Sequence, residues 1–238
     1  MTEYLKPTYF LDYENEEVRA FAEKHTDRTN TQLQNAVSLY NAVRDTWYYD
    51  PYYLDLRPEG SRASTVMKRR SGHCVSKAIV LAASARYIGI PSRLSFYIVC
   101  NHIATERIER FLGTNKLVFH GAAELLLEEK WVKATPAFNT ALCHKLNVEV
   151  LDFTGLEDSV FQQFDRTGNT FMQYLHEYGA FADVPHDYMI SEWKKHYGTV
   201  ITPELLEKHD FVLDLMKLSA EKESAEKKGA EKEGTAKK

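Results

Sequence analysis

One residue in this sequence stands out as a potential nucleophile, and it lies where a loop becomes a helix. In "RRSGHCVSKAIVLAASARYIGIPSRL", residues 69 to 94, Cys74 opens the helical stretch. Unpaired backbone N–H groups and the positive end of a helix dipole favour thiolate over thiol, so its pKa is expected to fall. Lys68, Arg69 and Arg70 precede it and are read as a solvated face. A cysteine nucleophile needs a base, and His120 in "LVFHGAAELLL" is the candidate. Taken alone, Cys74 has a second reading as a small buried apolar residue, the reading kept for Cys100 and Cys143.

These two side chains need elements to hold them. Val75, Ala78, Ile79, Ala82 and Ala85 keep helical spacing, Gly89 suits a left-handed C-terminal cap, and Pro91 prevents continuation. The small residues of this helix let neighbouring backbones approach, which marks it as central. The period then becomes alternating, with strands expected at 93–100, 117–127 and 130–135 and a short helical or irregular insertion, "TERIERFLG", between the first two. A hairpin turning at Glu128-Glu129 puts Ala122 opposite Thr135 and sets His120 and Thr135 diagonally on one face. Upstream, residues 31–46 place Leu33, Ala36, Val37, Tyr40 and Val43 on one helical face. Beyond Pro136 the chain is expected to be irregular and helical, over 156–178, over 187–197, and in a last helix capped by Thr202 with Pro203 at its first position.

Composition limits the classes of function. A chain of 238 residues with 44% hydrophobic content can bury a core without metal or disulfide support. Three widely spaced cysteines argue against a secreted disulfide framework and fit a reducing compartment. The beginning of the sequence carries no signal-peptide pattern and no stretch reaches membrane-spanning length, so a soluble cytoplasmic protein is expected, with no membrane partner. The net charge of −4, without a basic face interleaved with aromatics, argues against nucleic acid. From Lys217 onward, seven Lys and five Glu recur without an aromatic, which predicts a disordered or solvated tail over 217–238 following a single domain over 1–216.

The run "SGHCVSKAIVLAASARYIGIPSRL", followed by "HGAAELLLEEKWVKATPAFN", resembles the transglutaminase-like superfamily of cysteine enzymes over about residues 64–140. The segments "FDRTGNTFMQY" and "YGAFADVP" are similar to a bacterial branch of it. The resemblance implies an α+β fold with a papain-like core, in which a central Cys-bearing helix packs on an antiparallel sheet, with extra N- and C-terminal helices. It also implies a Cys-His-Asp triad. Cys74 takes the nucleophile position and His120 the general base and later acid. Thr135 falls where the family usually has Asp, and Ala122 where it often has Trp, while Glu124 is retained. A Thr hydroxyl can orient an imidazole but brings no negative charge, so a weaker base is expected.

Around this site, Trp47 and Tyr48 are candidates for the second oxyanion donor, beside the backbone N–H of Cys74 itself. His73 flanks the nucleophile. His102 at a strand end is a rival for the pocket, against a surface-turn reading. His120 and Glu124 on one strand are about 13 Å apart, which excludes a helical zinc motif, and no cofactor or metal is expected. Two functions remain open. The first is thiol acyl transfer or amide hydrolysis on a protein or peptide substrate, with an amine or water as acceptor. The second is an inactive domain of the same fold that binds extended peptides.

Overall fold

The computed structural model describes residues 2–102, 109–110, 112–198, 200–202 and 212–214. The last helix, expected from Pro203, and the tail 217–238 fall outside the described residues, as does most of the insertion after His102. Helices α1 (Glu16–Lys24) and α2 (Gln32–Thr46) come first, then short strands β1 (Tyr48–Tyr49) and β2 (Tyr53–Asp55), and α3 (Ala63–Met67). Strand β3 (Ser71–Gly72) leads into α4 (Cys74–Tyr87). After it come β4 (Ser92–Asn101), β5 (Lys116–Leu127), β6 (Lys130–Ala134), α5 (Thr140–Leu146), β7 (Met172–Phe181), α6 (His186–His196) and β8 (Val212–Asp214). Among the described residues no helix is long and apolar enough to cross a membrane.

The helix α4 is the centre of the molecule. Every residue from Cys74 to Arg86 is buried, because its many Ala and Ser side chains leave room for elements on all sides. Gly89 at φ 82° ends it in the left-handed conformation expected of a glycine cap. On one side lies a four-stranded antiparallel sheet of order β6-β5-β4-β7. On the other lie α1, α2 and α3.

The hairpin β5–β6 turns at Glu128 and Glu129, both with positive φ (46° and 62°), the backbone of a tight two-residue turn. Its register pairs Ala123 with Ala134, so Ala122 stands opposite Thr135. The expectation for 156–178 is corrected: Met172–Phe181 is a fourth strand, paired to β4. Its sequence hides this because the strand is at the sheet edge with Gln173 to Glu177 exposed, and two register shifts interrupt its alternation.

One buried cation joins three segments. Lys77, a turn after Cys74 and fully buried, donates from Nζ to the backbone oxygens of Arg44 (2.7 Å), Trp47 (3.0 Å) and Ala137 (2.8 Å). Burial pulls the amine down to about 7. The three acceptors act in the opposite sense, matching the three protons of an ammonium at the negative end of α2. Replacing it strands three buried carbonyl groups. Lys77→Met is therefore expected to lose about 3–5 kcal/mol of stability, read as a lower urea midpoint with an unchanged slope.

Candidate active site

The loop before Cys74 is clamped on its neighbour strand. β3 runs parallel to β1, pairing Ser71 with Tyr48 and Gly72 with Tyr49, and Asp50 N–H donates to Gly72 O (3.2 Å). His73 is the residue preceding α4 and has no side-chain cap bond, so the first N–H groups of the helix are left to Cys74 and what it binds. Of the basic run, Lys68 and Arg70 are solvated, while Arg69 is anchored on Asp55 (3.1 Å).

His120 reaches the same place from the sheet. Between Leu117 and His120 strand β5 carries one residue more than β4 does between Tyr97 and Val99, and Phe119 there adopts φ 58°. Such a bulge re-aims the side chains that follow it. The next residue must be glycine, since a Cβ on Gly121 would lie 2.9 Å from Val75 Cα. That close approach brings the Gly121 N–H near Cys74, where with the N–H groups of Val75 and Cys74 itself it favours the thiolate.

Cys74, His73 and His120 line one cavity of about 40 Å³, together with Tyr49, Trp193 and Tyr197. Trp47 and Tyr48 are placed elsewhere: Trp47 is buried against Phe21 (ring centroids 5.2 Å apart), and Tyr48 is 68% exposed. The strand alternation of β1 turns Tyr49 inward instead, a phase that a Tyr-Tyr pair does not disclose. His102 is exposed beyond the end of β4, its N–H on Phe171 O (2.8 Å). The missed lining residues Trp193 and Tyr197 stand four apart on and just past α6, a spacing legible in "SEWKKHY" as one helix face.

Thr135 lies on the far side of His120. Both border a second cavity of about 10 Å³, with Gln162. The Thr135 hydroxyl is buried and has no hydrogen-bond partner among the described residues, while Gln162 Nε2 is fixed on Glu149 O (2.8 Å).

The electrostatics correct one expectation. Burial pushes the Cys74 thiol up to about 11, outweighing the three N–H groups that pull the other way. Burial also pulls His120 down to about 4, and His73 to about 4 with help from Arg69 and His120. The helix end still favours the thiolate, but the hydration that a charged sulfur loses on burial outweighs it. The closed site thus holds a neutral thiol and neutral imidazoles. Among the described residues no group of three or more His, Cys, Asp or Glu is arranged to hold a metal ion.

A buried cysteine opening a helix, facing a histidine on an antiparallel sheet, defines the papain-like transglutaminase core. Residues 19–136 match the sequence model of the transglutaminase-like superfamily, and with them the chain belongs to that superfamily. No curated protein matches the chain. Among solved structures it is similar to a candidate cysteine protease from Cytophaga hutchinsonii, at 11% identity over 75% of this chain, with a TM-score of 0.43. The chain spans 53%, about half, of that structure's length.

The buried imidazoles set a pH dependence. Between the ordinary value of 6.5 and about 4 the unfolded chain binds more protons than the fold, so stability falls as pH drops through that window. His120, 3% exposed, dominates, and His73 contributes less because it keeps some solvent contact. The loss by pH 4 is expected to be on the order of 3 kcal/mol, and His120→Gln should flatten the slope of unfolding free energy against pH.

Proposed function

We propose that the protein is a cysteine enzyme that forms a thioester on Cys74 from a carboxamide or peptide bond, within one domain over residues 1–216. The observation that carries this reading is the placement of Cys74 at a helix start, in one cavity with His120 and Tyr49. As the sulfur attacks the carbonyl carbon, the thiol proton passes to the His120 imidazole. The oxyanion formed is received by the Cys74 N–H and the Tyr49 hydroxyl, which replaces Trp47 and Tyr48 as the side-chain donor. Collapse breaks the C–N bond, and His120 returns the proton to the departing amine. A second amine or water, giving up its proton to His120, then attacks the thioester; the C–S bond breaks and the proton returns to the Cys74 sulfur, giving acyl transfer or hydrolysis. His73 and the aromatic walls bound the substrate; His102 keeps the surface-turn reading.

The alternative, an inactive domain that binds extended peptides, draws on the absence of a carboxylate at Thr135. The test is to acid-quench the protein with blocked glutamine-containing peptides and to search by mass spectrometry for an acyl adduct. It is expected on Cys74, absent in Cys74→Ala, and at least about 100-fold slower to form in His120→Ala. Peptide binding with no adduct would favour the inactive domain. Thr135→Asp supplies the missing charge: the His120 pKa should rise by about one to three units in an NMR titration, with faster adduct formation.

A further inference from the structure

The Cys74 cavity is too small for the substrate just described. At about 40 Å³ it has room for a few waters, each needing about 10–15 Å³, and none for a polypeptide. Cys74 itself is 8% exposed. Part of the wall that narrows the cavity is α6 and the residue after it, with Trp193 and Tyr197 both buried and the Trp193 ring edge-on to His73 at 6.0 Å.

The way these two side chains are held identifies the surface beneath them. β6 pairs with β5 only from Ala123 to Leu127, and β4 takes the other edge at Lys116 and Leu117. Among the described residues, the edge of β5 next to the cleft therefore has no strand partner. Three of its backbone groups are satisfied by side chains instead. Trp193 Nε1–H donates to Val118 O (2.9 Å), Val118 N–H donates to the Tyr197 hydroxyl (2.6 Å), and that hydroxyl donates to Lys116 O (3.1 Å). Donor, acceptor and donor in this order are what the main chain of an added strand presents.

We propose that the Lys116–Val118 edge of β5 is the main-chain subsite for an extended polypeptide, and that Trp193 and Tyr197 occupy it in the closed molecule. The inference rests on the reading of Cys74 as nucleophile and adds the substrate class to it. Val118 is two residues from His120, so a strand laid on this edge runs directly to the Cys74–His120 pair. Among the described residues no Asp, Glu, Lys or Arg lines the cavity, which suits a neutral backbone with small or apolar side chains near the scissile bond. Displacing α6 opens the cleft and frees the edge in one movement.

The test uses the double variant Trp193→Phe/Tyr197→Phe, which keeps the bulk and removes the tethers. Cys74 alkylation is followed site by site by mass spectrometry with iodoacetamide, with acetyl-trialanine chloromethyl ketone, and with the same tripeptide reagent N-methylated on its alternate amides. In the variant the tripeptide reagent should gain about ten-fold or more over the native chain, iodoacetamide should gain less, and N-methylation should erase the difference. Equal gains for all three reagents overturn the subsite. A second measurement separates the subsite from the nucleophile: in the same variant carrying Cys74→Ala, acetyl-trialanine amide should slow hydrogen exchange at the Val118 amide. Exchange that the peptide leaves unchanged overturns the subsite. Protection of Val118 beside a Cys74 that no reagent modifies keeps the subsite and overturns the nucleophile.

Discussion

A lysine ammonium inside the protein, on the same helix as the nucleophile, is the constraint from which the site's geometry follows. Lys77 ties the end of α2 and the residue after it to Ala137, two positions after Thr135. From the first of these segments the chain continues into Tyr49, and from the second it descends from β6. One cation therefore registers the helix of Cys74 against both the strand that carries Tyr49 and the segment that carries Thr135 past β6. The same carbonyls would be costly to bury without it, so the fold and the site share one dependence.

The approach of helix to sheet is controlled with equal economy. Gly121 removes the one side chain that would hold β5 away from Val75, and the bulge at Phe119 sets the angle from which His120 arrives. Both features occur within three residues, and both act on backbone positions, so the chemistry of the site depends on groups that carry no chemistry themselves. Thr135 is the counter-example. It occupies a triad station by register, yet its hydroxyl finds no partner among the described residues. The imidazole is left to be governed by burial.

How far the sequence could be read followed from which forces act locally. The α4 helix, its glycine cap and the β5–β6 hairpin depend on spacing and turn chemistry, and their boundaries were legible within a residue or so. Cys74 and His120 were legible as a pair because motif order survives in the chain. The strand β7 was not, since its edge position and bulges erase the alternation that betrays a buried strand. Nor was the Cys74 environment: position at a helix start argues for a thiolate, but part of the aromatic cover that buries it comes from α6, more than a hundred residues away. Tyr49 differs from Tyr48 only in the phase of a two-residue strand, which tertiary pairing decides.

The covered, protonated state of Cys74 has a meaning for redox chemistry. Peroxide oxidation begins at the thiolate and needs access to the sulfur, as does capping by glutathione. Aromatic walls and a thiol held at about 11 withhold both. The nucleophile is thus stored in its reduced form by the same closure that keeps substrate out, and it becomes open to oxidants only in the conformation in which it can also react.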